Sequence, residues 1–456
     1  MRIAVLHPAM RPDDPFAQVD SPAEVASLMP EHAFVDVLMH KATVGRQLIE
    51  LMRQGVDVAV NLCDGAWDED RPGIEVIHGL ERVGLAYTGA DARCYDPSRL
   101  AMKLACEAAG VGFPAFVYAS GPGDAPAIAG KLRAPWIIKH PQGYGSIGMT
   151  ADSRAGDVAG LTREIARITA AYGSALVEEF IEGREFVVLV AEPATPGGVP
   201  RTWPPGQVMF GPGETFRHFD SKWLDGSWME ILEDEALASR LRDAVARAFN
   251  ALGGVGYARC DLRLTADGEI HVLEFNANCG LFMPEGASAA DEMMEREPGG
   301  RRGFLEHILQ CALRRQAGRR RSWTLDHARG RGFGLAAARD ILAGEVILAG
   351  EGLPHRLVSR TDRDGQGTPL DPEAWRPVDH ACDPNARVRG LDVAARRDIP
   401  AGERVSIDYA TLRGVTAPGC TCGAGPCVAA RPVSAAVSPP GPAGLISGRG
   451  GRARGR

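Results

Sequence analysis

A chain of 456 residues exceeds one ordinary domain, so roughly two to four are expected. Hydrophobic residues make up 45% and charged residues 24%, the balance of a soluble globular protein, and a net charge of −7 argues against general nucleic-acid affinity. The apolar run 2–6 is too short for a signal peptide or a membrane span, and no longer run follows it. A cytoplasmic protein with no membrane partner is therefore expected, with its ten cysteines read as thiols or metal ligands rather than disulfides.

Arginine is the default cation, because the lysines are Lys41, Lys103, Lys131, Lys139 and Lys222 alone. A retained lysine marks a place where a compact ammonium is useful. In chain order, 2–6 (RIAVL) and 56–62 (VDVAVNL) read as buried strands, the second ending in the loop Cys63-Asp64-Gly65. Apolar positions over 73–84 keep helical spacing, and Leu85-Ala86-Tyr87 reads as a short strand. This alternation predicts an open α/β sheet in the first ~90 residues. No GxGxxG follows the first strand, so a dinucleotide fold is not indicated.

Residues 98–110 read as a helix carrying Arg99 and Lys103. WIIKHPQGYGSIGM, 136–149, is a strand ending at Lys139 and then a glycine-rich loop with Ser146. Such a loop can wrap phosphates with backbone N–H groups while the lysine supplies charge; it can equally be a flexible connection after a strand. ALVEEFIEGREF, 175–186, runs a strand into Glu178, Glu179 and Phe180, then Glu185; these acids suit an adenine amino group and ribose hydroxyls, or simply a solvated edge. Lys222 and Trp223 sit in a glycine-rich segment, with helices expected at 234–252 and near 303–315.

The stretch 257–278 reads as a β-hairpin about a two-residue Asp267-Gly268 turn. Ala258, Cys260, Leu262 and Leu264 alternate with Tyr257, Arg259, Asp261 and Arg263. That register sets Asp261 opposite Glu274 and Arg259 opposite Asn276. Facing carboxylates repel, so this is either an ordinary polar outer face of a sheet or a place where a cation sits between them; Asp, Glu and Asn oxygens are hard ligands of the kind Mg²⁺ prefers. On the cation reading, removing the Glu274 charge should leave the metal-free fold as stable or more so.

In this order the pieces of residues 1–315 resemble the ATP-grasp superfamily, in its D-alanine–D-alanine ligase branch. The resemblance implies that Arg99 and Lys139 contact phosphates, with Ser146 in the loop over them. It implies adenine recognition by Glu178, Glu179 and Phe180, and ribose recognition by Glu185. Lys222 would reach the phosphates, Asp261, Glu274 and Asn276 would hold Mg²⁺, and Arg259 would steady the developing oxyanion, with Gly280 beside it. Arg99 replaces a family lysine, Gly145 a serine and Trp223 a tyrosine, and VLHPAMRPDDPF lacks the glutamate that orients the first D-alanine. An ATP-dependent carboxylate–amine ligase acting on small molecules other than D-alanine is expected.

A different pattern begins after the basic stretch 314–331. RDI-x-AGE occurs at 339–345 and again at 397–403, predicting two similar β-units packed together. GFG at 332–334, DHACDPN at 379–385, Asp408-Tyr409 and CTCGAGPC at 420–427 resemble SET-domain methyltransferases with a post-SET zinc segment. The resemblance implies S-adenosylmethionine bound by Gly332, Phe333, Gly334, Asp379, His380 and Tyr409, with Tyr409 catalytic and a protein or peptide methyl acceptor. Cys420, Cys422 and Cys427 are one ligand short of a closed zinc site, and Cys382 would complete it. Asp379 replaces the usual asparagine.

The expected architecture is α/β followed by α+β. A pre-ATP-grasp domain (1–95) and an ATP-grasp domain (96–315) precede a basic linker (316–329). A mostly β SET domain (330–412), a post-SET zinc segment (413–428) and a disordered tail (429–456) follow. The alternative is an active ligase with a degenerate SET domain acting as a binding module.

Overall fold

The computed structural model describes residues 1–10, 25–66, 70–143, 145–218, 227–284, 286–318, 322–328, 332–348, 378–389 and 392–408. Among these, Met1–Leu325 form one compact unit and the residues from Asp326 onward a second.

The first unit opens with a parallel sheet. Strand β1 (Arg2–Pro8) lies between β2 (Ala33–Met39) and β3 (Val58–Asn61), with β4 (Ala86–Tyr87) beyond β3. Ile3, Ala4, Val5 and Leu6 are fully buried, as a parallel strand covered on both faces requires. Helices α1 (Val44–Arg53) and α2 (Ile74–Val83) pack on it, and Gly84 ends α2 in the left-handed conformation at φ 80°. This is the open α/β sheet expected from the sequence, with β2 and α1 added between the two expected strands.

A second, antiparallel sheet contains β5 (Phe116–Ala119), β6 (Trp136–Lys139), β7 (Arg154–Ala155) and β8 (Ala175–Glu179), in the order β5-β8-β6-β7. Helix α3 (Arg99–Ala108) precedes it and the short α4 (Ala125–Ala129) lies within it in sequence. Helix α5 (Val158–Tyr172) buries Leu161, Ile165 and Ile168 against Ile138 and Val177. Its ends are written in the sequence: the Asp157 side chain accepts from the Gly160 N–H at 2.7 Å, and Gly173 takes φ 80°.

The third sheet holds β9 (Arg184–Ala191), β10 (Arg201–Thr202), β11 (Gly206–Phe210), β12 (Ser227–Ile231), β13 (Tyr257–Leu264) and β14 (Ile270–Ala277). Its order is β12-β11-β9-β13-β14, with β10 on β9. Helix α6 (Glu235–Ala251) covers one face through Leu241, Val245 and Phe249. Helices α7 (Ala289–Glu295) and α8 (Gly300–Gly318) cover the other, where Phe304 meets Trp203 and Tyr257 at ring separations of 4.9 and 5.7 Å. Strands β9 and β13 are thus buried on both sides.

The β13–β14 register is as expected at the site but is reached differently. The connection is a three-residue loop, Ala266-Asp267-Gly268, with Thr265 donating to the Glu269 carbonyl at 3.0 Å and Gly268 at φ 86°. That shifts the pairing by one residue, so Leu262 faces Val272. A bulge at Leu273 shifts it back, and Asp261 faces Glu274 and Arg259 faces Asn276. Two one-residue irregularities cancel.

In the second unit the two RDI-x-AGE phrases pair with each other. Ile341 and Ile399 exchange backbone hydrogen bonds at 2.9 and 2.8 Å. Asp398 accepts from the Ala343 N–H at 2.8 Å, and Asp340 accepts from the Ala401 N–H at 2.9 Å. Each carboxylate caps the other phrase's turn, a local two-fold arrangement that explains why the phrase repeats. Strand β15 (Trp323–Ala328) pairs with β16 (Gly332–Ala337), and β17 (Val346–Leu348), β20 (Asp392–Ala395) and β19 (Ala386–Arg389) form a three-stranded sheet. Strand β18 (Asp379–His380) runs parallel to β21 (Ser406–Ile407). Of the expected linker, 316–318 continue α8 and 323–328 lie in β15.

Candidate active site

Strand alternation at the end of β8 turns Glu178 inward and Glu179 to the opposite face. Glu178 is 1% exposed and forms ion pairs with Lys103 Nζ at 2.5 Å and Lys139 Nζ at 2.7 Å. Burial pushes its carboxyl up; the two ammonium groups outweigh burial and hold it at about 2. Burial in turn pushes the Lys103 ammonium down. Glu179 instead accepts from the Arg133 backbone N–H at 2.9 Å and from its Nη2 at 3.0 Å. Phe180 lies between the Arg154 and Arg263 guanidiniums, 4.6 and 4.5 Å from its ring centre, and meets Phe216 edge-on.

Three carboxylates line the mouth of this pocket, and each carries arginine. Glu185 accepts from Arg217 Nε at 2.7 Å and Arg263 Nη2 at 2.9 Å. Asp261 accepts from Arg259 Nε at 2.8 Å and Arg217 Nη2 at 3.0 Å. Burial pushes the Asp261 carboxyl up, and Arg259 and Arg217 together bring it below its ordinary range. Glu274 pairs with the buried Arg99, which also donates to the Gly143 carbonyl at 2.6 Å. The repulsion expected between Asp261 and Glu274 is therefore already neutralised by the protein's own cations. Asn276 stands across from Arg259, and its Nδ2 is buried with no hydrogen-bond partner.

In the glycine-rich loop Ser146 is held at φ 62°, a conformation few non-glycine residues adopt, and its hydroxyl donates to the Arg217 carbonyl at 3.4 Å. Lys139, Ser146, Glu178, Glu185 and Asp261 line a small pocket of about 80 Å³. Arg259, Asn276 and Gly280 line a cleft of about 1720 Å³ that extends to the first sheet. Arg99, Arg217 and Glu274 line both. Lys222 and Trp223 lie outside the described residues.

Among the expected residues of the second unit, Gly332 and Phe333 begin β16, Gly334 is buried, and a Cβ on Gly334 would meet the Arg404 guanidinium at 1.8 Å. Asp379 accepts from Arg404 Nε at 2.7 Å, and Arg404 Nη1 also reaches Asp326 at 3.1 Å. Asn385 ties the segment down: its Nδ2 donates to the Arg404 carbonyl at 2.8 Å and its Oδ1 accepts from the Ser406 N–H at 2.8 Å. Cys382 Sγ lies 3.4 Å from His380 Nε2. Tyr409, Cys420, Cys422 and Cys427 lie outside the described residues. Among the described residues no group of three or more His, Cys, Asp or Glu side chains is arranged to hold a metal, and no helix is long and apolar enough to cross a membrane.

Several pocket residues were not singled out from the sequence. Leu273 reaches the small pocket because of the bulge, which no glycine or proline announces. Ile137 and Phe216 supply apolar walls, but Ile137 reads as part of an apolar strand and Phe216 as the start of the glycine-rich segment. Arg263 was on the expected polar face of β13 without a role, and its partner Glu185 is 78 residues distant. Arg217 carries no local signal.

Residues 107–286 match the family described as D-ala D-ala ligase C-terminus. The chain is 29% identical over 280 residues to a D-alanine–D-alanine ligase of Arthrobacter sp. (strain FB24), spanning 58% of this chain and 70% of that protein. It is 29% identical over 289 residues to the D-alanine–D-alanine ligase of Desulforudis audaxviator, spanning 60% and 87%. The crystal structure of the Bacillus anthracis D-alanine–D-alanine ligase complexed with ATP superposes with a TM-score of 0.51 at 19% identity, over 70% of this chain and 98% of that one. Residues 107–286 are thus similar to the C-terminal domain of D-Ala–D-Ala ligases, and over 70% of this chain the mixed α/β fold matches that of those enzymes.

Proposed function

We propose that the first unit is an ATP-dependent carboxylate–amine ligase of small molecules. The observation that supports this best is the junction of the two cavities at Glu274, Arg99 and Arg217. A nucleotide in the small pocket would point its terminal phosphate at the larger cleft. Two carboxylates and an amide oxygen suit Mg²⁺, which keeps most of its shell for phosphate and water. Asn276, across the ladder from Arg259, would bring its side-chain oxygen to that set.

On this reading Glu178 and the Phe180 segment hold the adenine, with the Glu179 contribution limited to its backbone, and Glu185 holds the ribose. Lys139, Arg99, Ser146 and Lys222 address the phosphates. Asp261, Glu274 and Asn276 hold the metal. Bound Mg·ATP supplies the phosphoryl group that activates a carboxylate for attack by an amine. Arg259 is fixed by Asp261 with its guanidinium facing the cleft, placed to stabilise an oxyanion there.

The substrate side departs from D-alanine dimerisation. His7 and Asp36, paired at 2.9 Å, line the cleft where the first strand ends. Purified protein should release ADP with some carboxylate–amine pairs from a mixed panel and only weakly with D-alanine alone. Robust D-Ala-D-Ala synthesis, read by mass spectrometry, would overturn the substrate part of the reading; ADP release with no pair would overturn the ligase.

For the second unit we infer a SET-type fold whose methyltransferase chemistry is lost, leaving a binding module. The supporting observation is that Asp379 is charged and engaged by Arg404, where the resemblance asks for a neutral amide toward S-adenosylmethionine. Methyl transfer from labelled cofactor to a peptide panel should stay at background, and turnover would restore the bifunctional reading. Cys382, Cys420, Cys422 and Cys427 should still bind one Zn²⁺, because that ligand set does not depend on turnover. Elemental analysis of protein purified without chelators checks this, and zinc-free protein would remove the site.

A further inference from the structure

Arg217 follows β11, and its position is fixed from several sides. The Ser146 hydroxyl donates to its carbonyl, Phe216 before it packs on Phe180, and Arg263 Nη2 donates to the Thr215 carbonyl at 2.5 Å. Its guanidinium bridges Glu185 and Asp261, at 2.7 and 3.0 Å. The side chain is only 13% exposed and lines both cavities. One cation thus occupies the proposed ribose carboxylate and the proposed metal carboxylate together.

Both partners are required elsewhere once Mg·ATP is present. The small pocket, about 80 Å³, is also far below the several hundred Å³ that a nucleotide-sized ligand needs. The ion pairs that fill it must therefore rearrange. A guanidinium stripped of both carboxylates and kept from water is costly. Phosphate oxygens at the cavity junction would offer it a pair of acceptors matched to its planar fork.

We propose that Arg217 is a phosphate-binding residue that holds the metal carboxylate while nucleotide is absent. It stands in for the cation on Asp261 and turns to the β- or γ-phosphate when Mg²⁺ takes that carboxylate. This rests on the ligase reading above.

The test is binding, not turnover. Mn²⁺ alone is titrated into nucleotide-free full-length protein by electron paramagnetic resonance, and ADP and AMP are titrated by calorimetry with Mg²⁺ present. Arg217→Gln should bind Mn²⁺ about tenfold more tightly, because its competitor is gone, and ADP about tenfold more weakly, with AMP little changed. Arg217→Lys, which keeps the charge and offers a second chance of a folded variant, should recover part of the ADP affinity. Unchanged Mn²⁺ affinity, or equal losses for AMP and ADP, would make Arg217 a packing residue and overturn the proposal. Wild-type protein that binds neither nucleotide would sink the ligase reading instead, and this proposal with it.

Discussion

Glu274→Gln should reduce ADP release by about a thousandfold or more at saturating Mg²⁺ and should lower, not raise, the thermal stability of the metal-free protein. The first effect follows from the proposed metal set. A thousandfold is about 4 kcal/mol of transition-state stabilisation, within reach of a metal ligand lost beside the reacting phosphate. The second effect reverses what facing carboxylates suggest from the sequence. Asp261 already has Arg259 and Arg217, and Glu274 has Arg99, so no repulsion is left to relieve. Arg99 is 7% exposed and would lose its counter-charge. Glutamine can still accept one of its hydrogen bonds, which limits the cost to about 1–2 kcal/mol. Calorimetry in the presence of EDTA reads the sign, and ADP release reads the activity. A variant with near-normal ADP release would remove Glu274 from the metal site; a variant more stable than wild type would show that Arg99 is not the partner that matters.

The sign reversal shows where the sequence is legible and where it is not. Period-two alternation carries β13 and the set of its side chains that share a face, because both depend on local geometry. It does not carry the loop length or the Leu273 bulge, and the expected register is reached only because those two errors cancel. Helix α5 was legible in principle: Asp157 and Gly173 are standard start and stop residues flanking a periodic run. Strand β9 was harder to read, because burial on both faces erases alternation. The arginines that reach the site carboxylates from distant segments could not be read at all. Arg99 and Glu274 are 175 residues apart, and Arg217 and Asp261 are 44 apart. Such pairs are decided by which strands become neighbours, so tertiary geometry assigns them. In the second unit the repeated RDI-x-AGE phrase was legible as packing because each copy supplies the cap for the other.

Glu178→Gln should destabilise the first unit by about 3–5 kcal/mol, the cost of removing one partner from a buried ion pair. The carboxylate lies between two ammonium groups, and Lys103, 3% exposed, sits 4.9 Å from the Phe116 ring centre with little water to turn to. Acid should reproduce the loss in wild-type protein. The Glu178 carboxyl is lowered from 4.5 to about 2 in the folded chain, so its contribution is full above pH 4.5 and disappears as the pH falls through 2. A shift of that size corresponds to about 3 kcal/mol. Hydrogen exchange of the Ala175–Glu179 strand amides as a function of pH follows this without requiring the second unit to unfold. A second substitution separates charge from packing. Lys103→Met placed in the Glu178→Gln background leaves one lysine, Lys139, facing a neutral amide. If stranded positive charge is the cause, the double variant should recover more than half of the lost protection. If the loss instead comes from disturbed packing around β6 and β8, the second substitution will add to the first. Nucleotide binding should stay weak in both variants, because the neutral amide is a weaker acceptor for the adenine amino group than the carboxylate.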